Sequence, residues 1–152
     1  MKVRQASQAD HHTLVSLYRT FFPVHNVFQQ REEEVIDYLK DLSQHDTILV
    51  YDDDGIRGAI VISQVTLTPD GSHRLCRIKH LAYEDIKQGQ ALLDEAERRA
   101  SEGVKSAKIE AHLAQGESAV SLFHDKSYTK QAELPDHYRM GERCYVYGKI
   151  IQ

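Results

Sequence analysis

The sequence is short of several things, and each shortage removes a class of protein. No apolar run approaches the roughly 20 residues that a membrane-spanning helix needs, so no membrane partner is expected. Positive charge is not in surplus: 19 Lys and Arg stand against 23 Asp and Glu, a net charge of -4, so no nucleic-acid footprint is expected. There are only two cysteines, Cys76 and Cys144, without metal-site spacing and within apolar, strand-like runs, so they read as buried thiols. With three prolines, no low-complexity stretch and no internal repeat, nothing marks a linker. Met1 to Arg4 leads straight into patterned sequence without a leader, and the compartment expected by default is the cytoplasm.

What is present is a 152-residue chain with 41% apolar residues, enough for one domain with a core. Met1 to Gln5 reads as a first strand. Asp10 reads as a helix N-cap, with Leu14, Leu17, Tyr18 and Phe21 at helical spacing and Pro23 as the stop. A second helix is predicted from about Arg31 to Leu42, its first turn carrying Glu32, Glu33 and Glu34, where negative charge suits the helix dipole. The connection between them, Phe22 to Phe28, is unusually apolar; it either lines a groove or packs on the sheet.

Two strands, 47–51 and 56–63, flank Asp52, Asp53, Asp54 and Gly55, a hairpin turn signal. Three adjacent acids do not converge on one ion without further ligands, so a solvated turn is the reading. Pro69 to Gly71 makes a second hairpin turn into a strand from His73 to Tyr83. The helix from Ile86 to Glu102 ends at Gly103, a natural C-cap, and leads to a strand from Val104 to His112; the helical crossover makes that strand parallel to the one before. A last helix and two strands, 128–133 and 143–151, complete the chain.

The stretch from Ile78 to Leu93 organises the rest. It reads as a strand end, a polar turn and a helix start, and the unpaired N–H groups of a helix N-terminus favour an anion such as phosphate. Ile78 and Leu81 are three apart, off the strand period of two, which a β-bulge would explain.

The element order β-α-α-β-β-β-α-β-α-β-β resembles that of the GNAT N-acetyltransferase superfamily over essentially the whole chain. Ala119 to Tyr128 resembles the family's fourth-helix pattern, Ala-x-x-Leu-Tyr-x-x-x-Gly-Phe. Leu134 to Glu142 looks like the hairpin between its last two strands, and Ile78 to Tyr83 like the end of its strand 4. The implied fold is a mixed, mostly antiparallel seven-stranded α/β sheet, splayed between strands 4 and 5 and flanked by about four helices.

The resemblance implies acyl transfer from acetyl-CoA to an amine. By it, the pantetheine arm bonds to the backbone of Leu81, Ala82 and Tyr83, and the pyrophosphate lies on Lys87, Gln88, Gly89, Gln90 and Ala91. The family's loop reads Arg/Gln-x-x-Gly-x-Gly/Ala; Gly89 and Ala91 fit its end, whereas its first position falls on Ile86. The tyrosine that commonly serves as acid falls on Phe123, at the cofactor, and the helix-preceding asparagine falls on Gly116.

Candidate proton carriers are His80, at the cofactor end of strand 4, and Tyr138, in the last hairpin; each is otherwise a structural or exposed side chain. Glu110 and His112 read as a solvated strand face. In this fold the N-terminal helices and the last hairpin wall the acceptor site, which implicates Phe22, His25, Phe28 and His137. The acceptor is a small-molecule or protein amine, and family habit suggests a homodimer. No histidine pair on one helix face has ligand spacing with a third partner, so no metal is expected. The rival reading is a non-catalytic GNAT-fold binding or regulatory module.

Overall fold

Turn chemistry fixes the middle of the chain. The computed structural model describes residues 2–22 and 27–152. Asp54 and Gly55 both lie at positive φ, 54° and 113°, and turn strand β2 (Thr47–Asp52) into β3 (Ile56–Leu67) as an antiparallel hairpin. Gly55 carries that backbone without a Cβ penalty. A second tight turn leads from β3 into β4 (His73–Tyr83).

Around these strands run β1 (Val3–Gln5), α1 (His11–Phe21), α2 (Glu32–His45), α3 (Ile86–Ser101), β5 (Ser106–Ala114), α4 (Val120–Asp125), β6 (Thr129–Pro135) and β7 (Arg143–Ile151). The seven strands form one sheet in the order β1-β2-β3-β4-β5-β7-β6. β4 and β5 are parallel, as the helical crossover requires, and β7 pairs antiparallel with both β5 and β6. The β4–β5 ladder stops at Ile78 opposite Ala111, although β4 runs on to Tyr83 and β5 to Ala114.

The chain divides into two compact units, residues 1–62 with 80–95, and residues 63–79 with 96–152. In the first, α1 buries Leu14, Val15 and Tyr18, and α2 buries Val35, Leu39 and Leu42, one stripe on each helix. These meet Ile48 and Val50 of β2 and Ala59 and Val61 of β3 in one core. Leu49 and Ile60 point to the opposite face and are equally buried, so β2 and β3 read as continuous apolar runs. Gly58 sits where a Cβ would come within 3.0 Å of Leu92 and 3.1 Å of the Ala82 carbonyl oxygen, which explains a glycine inside a strand.

In the second unit, β5 alternates strictly, with Ala107, Ile109, Ala111 and Leu113 buried. Arg74 Nη1 donates to the carbonyls of Ala100 and Glu102 at 2.7 and 2.9 Å, placing a cation at the C-terminal end of α3. Glu97 accepts from the Tyr128 hydroxyl at 3.1 Å and from Lys149 Nζ at 2.9 Å, tying α3 to the end of α4 and to β7.

Several sequence expectations shift. The second helix continues to His45, and the fifth strand begins and ends two residues later than expected. The last helix is only six residues long. Cys76, Ile78 and His80 keep the period of two, and Leu81 adds burial on the other face, so two-sided burial accounts for the Ile78 and Leu81 spacing. Of the three turn acids, Asp52 pairs with Arg4 at 3.0 Å and Asp53 with Lys2 at 2.6 Å. Pro23 lies outside the described residues.

Asp10 occupies the N-cap position of α1 but makes no side-chain cap bond. Its carboxylate instead accepts from Arg4 at 2.8 and 3.1 Å and from the Ser7 N–H at 2.7 Å. The Arg4 hydrogen bonds, more than any other cause, hold the Asp10 carboxyl down at about 2, against 3.8 ordinarily. A lowered folded pKa contributes stability that is full above the unfolded value and lost as pH falls through the folded one. Allowing for the exposure of Arg4, that contribution is on the order of 1 kcal/mol. Asp10→Asn is expected to lower the unfolding free energy by that amount near neutral pH. It should also flatten the decline between about pH 4 and 2, read from urea midpoints across that range.

Candidate active-site groups

The turn after β4 is closed by its own side chains. Gln88 Oε1 accepts from the N–H groups of Glu84 and Asp85 at 3.0 and 2.9 Å. Asp85 Oδ1 accepts from the Lys87 N–H at 2.8 Å, and the Asp85 carbonyl takes the Gln88 N–H at 3.0 Å. Asp85 and Gln88 thus cap α3 reciprocally, in the spacing of a capping box. An anion arriving here meets amides already bonded and a carboxylate already on the helix dipole. Lys87 is exposed, Gln88, Gln90 and Ala91 are half-buried, and Gly89 is buried.

Within the same unit, His80 is 9% exposed and its Nε2 lies 2.6 Å from the Tyr38 hydroxyl. Aromatic rings enclose it: Phe28 edge-on at 4.9 Å, Tyr38 at 5.7 Å and Tyr18 at 6.0 Å between centroids. The Tyr18 hydroxyl donates to the His80 carbonyl at 3.2 Å. Burial, first, and then Asp46 and Asp41 push the Tyr38 hydroxyl up, so it keeps its proton at neutral pH. Tyr38 is half-buried where His80 is buried. Leu81 and Ala82 are buried beside it, and the Tyr83 ring meets Phe21 at 5.0 Å, tilted by 56°.

A second constellation lies in the other unit. His112 on β5, Cys144 on β7 and His137 between β6 and β7 bring their ring nitrogens and sulfur within 4.8 Å of one another. The Tyr138 ring lies edge-on against His137 at 4.8 Å, and Cys144 Sγ donates to the Tyr145 carbonyl at 3.9 Å. Burial, with smaller contributions from Cys144 and Glu117, raises the Tyr138 hydroxyl to about 12. Burial likewise raises the Glu117 carboxyl and, ahead of the nearby Arg77, lowers His112.

The remaining sequence candidates fall differently. Phe28 is fully buried and stacked on Tyr18 at 4.5 Å, so no face of its ring is open to a substrate. Phe123 is also fully buried, edge-on to Tyr128 at 5.0 Å; it fills core beneath α4 and presents nothing to a cofactor. Phe22 is half-buried against Phe21 and Phe28, and His137 is exposed. His25 lies outside the described residues. His80 and Tyr138 belong to different units. Sequence reasoning placed Gln88 at the pyrophosphate but missed its cap with Asp85, and it missed Tyr38 as the partner of His80 and Cys144 as a neighbour of two histidines. A tyrosine on a core-facing stripe needs a partner for its hydroxyl, and Asp-x-x-Gln before a helix is a cap signal, so the first two left traces.

The strand order, the parallel β4–β5 pair with its early ladder end, and the four α-helices among the described residues define the GNAT fold, and the chain is built on it. It superposes on a ribosomal-protein-alanine N-acetyltransferase from Brucella melitensis with a TM-score of 0.77 at 15% identity, covering 99% of this chain and 100% of the other. An aminoglycoside 6'-N-acetyltransferase from Enterococcus faecium gives 0.75 at 14% identity, covering 100% and 98%. A putative acetyltransferase from Salmonella typhimurium, solved with its cofactor acetyl-CoA, gives 0.71 at 13% identity, covering 98% and 92%. No protein-family model and no curated protein sequence matches the chain. Among the described residues no helix is long and apolar enough to cross a membrane.

Proposed function

We propose that the protein is an acetyl-CoA-dependent N-acyltransferase that moves an acetyl group directly to an amine. The observation that carries this reading is the buried His80 on β4, just past the last β4–β5 partners, with Nε2 2.6 Å from the Tyr38 hydroxyl. A base at that place must receive a proton from the acceptor amine before the amine attacks the thioester. Because His80 is buried and Tyr38 only half-buried, the phenol passes the proton inward: Tyr38 takes it from the amine and gives its own to Nε2. The backbone of Leu81, Ala82 and Tyr83 holds the pantetheine arm and polarises the thioester carbonyl, and residues 87–91 receive the pyrophosphate. The departing thiolate takes its proton from solvent. The acceptor is a small-molecule or protein amine, met on this unit by Phe22, in keeping with the aminoglycoside and ribosomal-protein substrates named for the neighbours.

One observation favours a second reading, a GNAT-fold binding module without turnover: the capping box fills the turn where the phosphates belong. Calorimetric titration with acetyl-CoA separates the two. Under the enzyme reading the parent binds in the micromolar to millimolar range, and Gln88→Ala, which uncovers the Glu84 and Asp85 amides, binds about fivefold tighter, roughly one hydrogen bond's worth. Absence of binding by both proteins would leave the module.

A further inference from the structure

The sheet register creates a cluster that no sequence spacing announces. β5 and β7 pair antiparallel, with His112 opposite Val146 and Ala114 opposite Cys144. His112 and Cys144 therefore lie diagonally on one face of the sheet. The turn after β6 brings in His137, whose ring centroid is 6.1 Å from that of His112. That turn is itself built: Asp136 is at positive φ, its Oδ1 accepts the Gly141 N–H at 2.7 Å, and its N–H bonds the Glu142 carbonyl at 3.0 Å. Cys144 is fully buried, His112 half-buried and His137 exposed, which gives the cluster a dry floor and a wet mouth.

We propose that His112, His137 and Cys144 form a binding site for a borderline-soft divalent transition metal, Zn²⁺ by default, with water in the fourth position. A tetrahedral zinc with one sulfur at about 2.3 Å and two nitrogens at about 2.0 Å separates its ligand atoms by about 3.5 Å. The three atoms here lie within 4.8 Å, so closing the site takes about 1 Å, which the exposed His137 supplies by a change of rotamer. The donor set excludes Mg²⁺ and Ca²⁺, which ask for oxygen ligands. On binding, the Cys144 S–H bond breaks, its proton goes to solvent and the sulfur lone pair goes to the metal. Glu117 and Glu142 face the thiol and favour a cation; Arg77, near His112, opposes one. The metal would fasten the β6–β7 turn to β5.

The test is titration of the reduced protein with Co²⁺, followed by absorption. The parent is expected to show a thiolate-to-cobalt charge-transfer band with tetrahedral ligand-field bands, displaced by Zn²⁺. Cys144→Ser should abolish the band, and Cys76→Ser should keep it. His137→Asn changes an exposed side chain, so folding survives, and it should weaken Co²⁺ binding at least tenfold. Adventitious binding through the other histidines gives no sulfur band. A parent without that band, or His137→Asn binding as tightly as the parent, would overturn the site. Neither result depends on acetyl transfer.

Discussion

Replacing His80 with glutamine is expected to lower kcat by about 100- to 10,000-fold while leaving the KM for acetyl-CoA near the parent value. Glutamine keeps a polar end that reaches the Tyr38 hydroxyl, so the 2.6 Å hydrogen bond and the surrounding rings have a substitute. What it cannot do is accept a proton and release it again near neutral pH. Tyr38→Phe removes the hydroxyl that meets His80 without altering the imidazole and should cost about tenfold or more in kcat. Urea midpoints within about 1 kcal/mol of the parent would confirm that chemistry and not folding was lost. Full activity in His80→Gln would place the base elsewhere.

The fold was legible because its signals are local. Gly55, Gly71 and Gly103 mark turns, the apolar period changes between strands and helices, and one helical crossover dictates a parallel pair. β7 falls on the residues expected of it. The site was legible only in part, and the reason is physical. The metal cluster depends on the β5–β7 register, which joins residues 32 apart, His112 and Cys144; a search for ligands on one helix face does not see a sheet diagonal. The apolar segment 22–28 was ambiguous because a groove lining and a core plug have the same composition. What decides for Phe28 is a 3-10 turn, Val27–Gln29, that drives the ring inward while Arg19 Nε holds the Phe28 carbonyl at 2.8 Å. Phe123 misled differently: matched to a family position that carries an acid, it packs as the apolar residue it is.

Phe28→Ala is expected to destabilise the protein by about 3–5 kcal/mol. The ring is fully buried, lies nearly parallel to Tyr18 at 4.5 Å and 12°, parallel to Phe22 at 6.0 Å, and edge-on to His80 at 4.9 Å and 78°. Its removal forfeits transfer energy and several aromatic contacts together. Tyr18, itself fully buried on α1 with its hydroxyl on the His80 carbonyl, cannot follow into the space without giving up that bond. The cavity therefore stays open, which puts the cost in the upper part of the truncation range. In a chain of this length a loss of that size lowers Tm by roughly 6–20 °C. Phe28→Leu restores most of the volume without the stacking and should recover about half. The same cavity frees one wall of the His80 cage, so at a temperature where Phe28→Ala is still folded its kcat should fall more than its KM for acetyl-CoA changes. Chemical denaturation of both variants measures the first effect. A loss under about 1 kcal/mol in Phe28→Ala would mean that the segment 27–29 does not plug the core.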